Sequence, residues 1–126
     1  MNGGKEKSEE AYELRKFIDR RLRDFRKQNP QIARTFMDFW RATKHKSPLP
    51  QKYKELIQLA IVLYDRCESC IYQHTELCLM AGATREEILD AVSQAVAIGG
   101  GIVYENLAYV MDALDYFEPI IAARKR

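Results

Sequence analysis

Apolar residues in this chain recur three and four positions apart, and prolines and glycines cut the runs that carry this spacing. From Lys5 to Lys27, Leu14, Phe17, Ile18, Leu22 and Phe25 stand at these intervals among charges of both signs. They form one stripe on an amphipathic helix. Ser8 followed by Glu9 and Glu10 reads as its start, a cap and then acids in the first turn. Asn29-Pro30 closes it and opens a second helix, which carries Ile32, Phe36, Phe39 and Trp40 and ends near Lys44. No helix crosses Ser47-Pro48-Leu49-Pro50.

A third helix is expected over 51–64, with Leu56, Leu59, Ala60 and Leu63 inward. Asp65 with Glu68 resembles a capping box and predicts a fourth helix from Asp65 to about Ala81, with Gly82 closing it. Thr84 with Glu87 is a second box. It opens a helix with Ile88, Ala91, Val92 and Ala95 inward, which Gly99-Gly100-Gly101 breaks. The last helix is expected from Ile102 to Phe117, with Pro119 disturbing it. No period-2 run and no Gly/Asn hairpin turn occurs, so the fold class is all-α, about six helices.

The chain has 126 residues, enough for one core. Its 47% apolar and 30% charged residues exclude disorder, and no apolar run reaches membrane-spanning length. The N-terminus has no secretory apolar region, and three cysteines fit a reducing compartment; a cytoplasmic protein is expected. Twenty basic against 18 acidic residues give a net charge of +2, which argues against a nucleic-acid binder. The basic run from Arg20 to Lys27 is interrupted by Asp24 and reads as a solvated face.

Only Cys67-Glu68-Ser69-Cys70-Ile71-Tyr72-Gln73-His74 is chemically dense. Helical spacing puts Cys67, Cys70 and His74 on one face. Residues i and i+3 lie roughly 5–6 Å apart, within reach of a disulfide. A helix N-terminus favours a thiolate, and an imidazole one turn on can take the proton of Cys70. Alternatives stand beside this. The cysteines can be small buried hydrophobes. A zinc site would need His45, Cys78 or Glu55 as a further ligand. Cys78 sits in an apolar setting and reads as core, and His45 as a loop histidine. Glu55 would orient His74 if the third helix packs against the fourth.

Glu55, eleven residues, Cys67-x-x-Cys70, three residues, His74, then Gly82-Ala83 and Glu87-Ile88, resembles the AhpD-like (alkylhydroperoxidase D-like) branch of the carboxymuconolactone decarboxylase superfamily, over about Pro50 to Phe117. The resemblance implies a helical homo-oligomer, a trimer or a hexamer, and the Pro48–Pro50 linker sets an N-terminal helical arm (1–46) apart from the AhpD-like core (47–126). It implies thiol-dependent reduction of hydroperoxides without cofactor or metal. Cys70 would attack, Cys67 would resolve, and Glu55 and His74 would relay protons. A lipoyl- or thioredoxin-type dithiol protein would restore the thiols. The branch commonly carries a second His before the second Cys, where this chain has Ser69. The helix dipole favours Cys67 as the thiolate; the nearness of His74 favours Cys70. The substrate pocket is expected to be apolar, at a subunit boundary, with Tyr72, Tyr104 or Tyr109 as walls. Neither nucleic acid nor membrane is an expected partner. The alternative is a cofactor-free decarboxylase or isomerase of a small organic acid, using Glu55 and His74 as acid and base.

Overall fold

The computed structural model describes residues 3–45 and 47–125. Six helices follow one another: α1 (Gly3–Gln28), α2 (Pro30–Lys44), α3 (Gln51–Val62), α4 (Glu68–Met80), α5 (Arg85–Gly99) and α6 (Gly101–Arg124). No strand occurs among the described residues. Helix α4 is the centre: α1, α3 and α6 all lie against it. The core it shares with them includes Leu59, Leu63, Ile71, Val110 and Leu114, all fully buried.

Several punctuation marks act as the sequence suggests. Pro30 takes the first position of α2 after Asn29. At α5 the Thr84 hydroxyl accepts the Glu87 N–H at 3.1 Å, and the Glu87 carboxylate accepts the Thr84 N–H at 2.9 Å. Gly100, with φ 71° and ψ −148°, turns the chain from α5 into α6 in a conformation that only glycine adopts readily. Gly99 before it leaves room for a close approach. A Cβ there would meet the ring of Tyr64, whose hydroxyl donates to the Ala95 carbonyl at 2.7 Å.

Other expectations are corrected. Helix α1 begins ahead of Ser8, which is buried and donates to the Asp112 carbonyl of α6 at 3.3 Å. Its hydroxyl ties two helices together instead of capping one. Helix α3 stops at Val62, and Leu63 to Arg66 form a turn. Helix α4 therefore starts at Glu68, and Asp65 caps nothing. Helix α6 runs through Pro119. An interior proline loses a backbone hydrogen bond. Here, however, Pro119 faces solvent, Ile121 beyond it is buried, and Arg85 of α5 clasps Asp115 and Glu118 in the turn before it. Tertiary burial holds the last turns in register.

Helix α2 packs chiefly on α1, and its apolar residues face outward. Ala33 alone is buried, while Ile32, Phe36 and Phe39 are 59%, 61% and 64% exposed. Leu22 and Phe25 of α1 continue that face, and with Ile32 and Phe36 they line an apolar groove of about 320 Å³. No helix among the described residues is long and apolar enough to cross a membrane.

Candidate functional site

Arg66 adopts a left-handed conformation, φ 55°, and delivers Cys67 to the head of α4. Cys67 is the N-cap: its Sγ accepts the backbone N–H of Cys70 at 3.3 Å. A helix start leaves N–H groups without internal partners, and here a sulfur takes one of them. Cys67 and Cys70 are joined as a disulfide with their α-carbons 5.2 Å apart. Both are partly exposed. The Ser69 hydroxyl lies 3.5 Å from the Cys67 sulfur.

His74 follows one turn below Cys70 and is buried, with the Trp40 ring of α2 edge-on at 6.5 Å between centroids. Its Nδ1 is buried without a hydrogen-bond partner among the described residues. Burial pushes its proton affinity below the ordinary histidine range; Glu55 opposes that, and Lys44 and Arg15 add to it. The imidazole is accordingly neutral at pH 7.

Glu55 is buried where α3 lies on α4. One of its oxygens, Oε1, accepts the Lys44 ammonium at 2.5 Å and the Gln51 amide at 2.6 Å. The other, Oε2, is buried and has no partner among the described residues. Lys44 also donates to Gln58 Oε1 at 2.9 Å, and its Nζ stands 4.7 Å from the centre of the Trp40 ring. The Glu55 charge also raises the thiol pKa of Cys78, which burial above all pushes up to about 12. Cys78 is fully buried and packs as an apolar residue.

Cys67, Cys70 and His74 thus follow one another over the first two turns of α4, and Glu55 stands on α3, which packs against that helix. His45 is exposed on the linker, where its carbonyl accepts Lys54, and no group of three His, Cys, Asp or Glu side chains among the described residues is placed to hold an ion.

Lys44, Trp40, Gln51, Gln58 and Arg15 are the site neighbours that the sequence did not announce. Gln51, four residues before Glu55 on α3, was open to discovery by spacing. Lys44 and Trp40 return to the site from beyond the proline linker, which no local pattern indicates.

Between α1 and α4 lies a cavity of about 230 Å³, with Arg15, Ser69, Tyr72, Gln73, Leu77 and Phe117 in its lining. Tyr72 is therefore a cavity wall, with its hydroxyl donating to Asp112 at 3.3 Å. Tyr104 is exposed, and the ring of Tyr109 lies under Lys7 on the surface between α1 and α6.

The family model for the carboxymuconolactone decarboxylase family matches residues 30–113, so the likeness takes in α2 as well as the helices after the linker. An uncharacterized protein of Cupriavidus necator is 29% identical over 105 residues, 83% of this chain and 90% of its own length. Among solved structures, an apo carboxymuconolactone decarboxylase family protein from Legionella pneumophila superposes with a TM-score of 0.76 at 33% identity, covering 89% of this chain and 97% of that one. A carboxymuconolactone decarboxylase family protein from Thermotoga maritima, for which an antioxidative role is only suggested, gives 0.69 at 28% identity over 92% of this chain and 93% of its own.

Proposed function

The chain belongs to the carboxymuconolactone decarboxylase family, and from that premise we propose that it is a thiol-dependent peroxidase of the AhpD-like branch. Cys67 and Cys70 would cycle between dithiol and disulfide as a hydroperoxide is reduced. The observation that carries this is the Cys67–Cys70 disulfide at the head of α4, with a buried imidazole one turn below it.

In the reduced protein His74 takes the proton of the Cys70 thiol. The thiolate attacks the distal oxygen of ROOH, the O–O bond breaks, and the alkoxide leaves as alcohol with that proton. Cys70 is then a sulfenic acid. The Cys67 thiolate attacks it, the S–O bond breaks, and hydroxide leaves as water with the Cys67 proton. The sum is ROOH plus two thiols giving ROH, water and one disulfide, so two electrons pass from sulfur to peroxide. Glu55 steadies His74 while it holds the proton. A lipoyl- or thioredoxin-type dithiol then restores the thiols by exchange, in a reducing cytoplasm.

The capping bond supports the division of labour. Cys67 has a backbone N–H to stabilise its thiolate, as suits the resolving and leaving sulfur. Cys70, nearer His74 along the helix, is the sulfur that a base can activate. The cavity beside Ser69 and Tyr72 has mixed walls suited to a hydroperoxide with an apolar tail. The exposed face of α2 suits a homo-oligomer, a trimer or a hexamer.

The test treats reduced protein with an organic hydroperoxide and reads mass. The native chain should lose two hydrogens and consume one peroxide per disulfide, and Cys70→Ser should do neither. Full turnover in Cys70→Ser would sink the assignment. Activity on a small organic acid that survives both Cys→Ser changes but dies with His74→Ala would replace it with acid–base chemistry.

A further inference from the structure

Resting on the dithiol function above, we propose that Lys44 is a positioning residue of the site: from the last turn of α2 its ammonium fixes the Glu55 carboxylate beside His74. Lys44 is 16% exposed and Glu55 5%. This is no ordinary surface pair. An ammonium buried this far sheds water at a cost that its ion pair roughly balances, so such a pair is a weak device for stability alone.

What Lys44 does is local. It meets Glu55 Oε1, Gln58 Oε1 and the face of Trp40 together, which leaves its ammonium little freedom. With Gln51 it claims one oxygen of Glu55 and leaves Oε2 free. His74 Nδ1 and Arg15 Nε are the other buried atoms without a partner among the described residues, and the Glu55 charge acts on the imidazole. The clamp therefore decides which carboxylate oxygen is left to His74. Trp40, one turn before Lys44 on the same helix, closes over the imidazole edge.

Three charges bear on His74, one from each of three helices: Glu55 of α3 favours its protonation, and Lys44 of α2 and Arg15 of α1 oppose it. Lys44 thus works in two ways. It anchors the carboxylate, and it offsets the carboxylate's charge so that the imidazole stays free to accept a proton from Cys70.

The test uses the full chain. The His74 Hε1 resonance, told from that of His45 by a His45→Gln variant, is followed through pH in the disulfide form. Lys44→Met should move the His74 midpoint upward, Lys44→Gln should do the same, and Lys44→Arg should leave it near native. In reduced protein mixed with cumene hydroperoxide, Lys44→Met should close the disulfide about tenfold more slowly, a fraction of what a general base contributes. The acid limb of its rate profile should rise with the midpoint, and Lys44→Arg should recover most of the rate.

An unmoved midpoint in both neutral variants, or a rate that Lys44→Arg fails to recover, overturns the proposal. So does loss of the fold in both neutral variants with Lys44→Arg intact, which would make the pair a structural tie. If native protein closes no disulfide with hydroperoxide, the peroxidase function falls, and the titration alone decides the role of Lys44.

Discussion

Cys67 caps the helix in which Cys70 is the third residue: the sulfur of one accepts the backbone N–H of the other at 3.3 Å while the two are bonded to each other. The spacing of a CxxC pair is the spacing of an N-cap and its N3 partner. The same four residues, Cys67 to Cys70, therefore serve two purposes, starting α4 and bringing two sulfurs within bonding distance. The consequence is an asymmetry. When the disulfide opens, the sulfur that leaves as Cys67 thiolate keeps a hydrogen bond that the Cys70 sulfur lacks.

This asymmetry predicts which sulfur a reducing dithiol attacks. Exchange is faster when the leaving thiol has the lower pKa. The donor should therefore attack Cys70 and release Cys67. A Cys67→Ser chain should trap a mixed disulfide with a lipoyl or thioredoxin-type dithiol at Cys70, and should hold a Cys70 sulfenic acid after peroxide. Peptide mapping by mass spectrometry checks both. Predominant trapping at Cys67 in a Cys70→Ser chain, with none at Cys70, would reverse the roles.

His74 predicts an acid sensitivity. Its folded-state pKa lies below the ordinary 6.5, chiefly through burial. The folded state thus resists protonation of this ring, whereas the unfolded chain accepts it freely. The histidine's contribution is intact above pH 6.5 and is lost as pH falls from there through the lowered folded value. Urea midpoints measured from pH 8 to pH 5 should fall more steeply for the native chain than for His74→Gln. Parallel curves would show that the ring is no more costly to charge when folded than when unfolded.

Arg66 predicts a gain in stability from a single substitution. A non-glycine residue in the left-handed region costs roughly 1–2 kcal/mol relative to glycine there, and Arg66 sits at φ 55°. Glycine also loses more chain entropy on folding, about 0.5–1 kcal/mol. Arg66→Gly should therefore be more stable by up to about 1.5 kcal/mol, the difference of those two effects, in urea unfolding of the disulfide form. A lower midpoint would mean that the arginine side chain makes a contact worth more than the backbone relief.

What the sequence made legible is what acts over a turn or two. The Thr84–Glu87 box, the glycine break after α5 and the Cys67–Cys70 spacing are all short-range, and α5 begins and ends where they imply. The start of α4 departs from the expected Asp65 because aspartate is a common cap and cysteine is not, although cysteine's sulfur accepts the same hydrogen bond. The expected end of the last helix at Phe117, ahead of a disturbing Pro119, falls short because the local cost of proline is visible in sequence, whereas the burial of Ile121 and the Arg85 clasp are not. Lys44 and Trp40 stayed hidden for the same reason: their contacts with Glu55 and His74 form only after the Pro48–Pro50 linker folds back.

The last prediction concerns the face that α2 leaves open. Ile32, Phe36 and Phe39 project from one side of it, each more than half exposed, next to Leu22 and Phe25 of α1. Covering a phenylalanine is worth roughly 1.5–3 kcal/mol, so an apolar face of this extent favours association, and a second copy of the chain is the proposed cover. The native protein should run in solution at a multiple of its 14.7 kDa chain mass. Phe36→Glu combined with Phe39→Glu places two charges on that face and should bring light-scattering mass down to one chain, with helix content by circular dichroism unchanged. Because α2 also carries Lys44 and Trp40, the dissociated protein should close its disulfide more slowly with peroxide even though no site residue has been altered. An oligomer that survives both substitutions would place the assembly surface elsewhere, and a native chain that is already a monomer would refute the association.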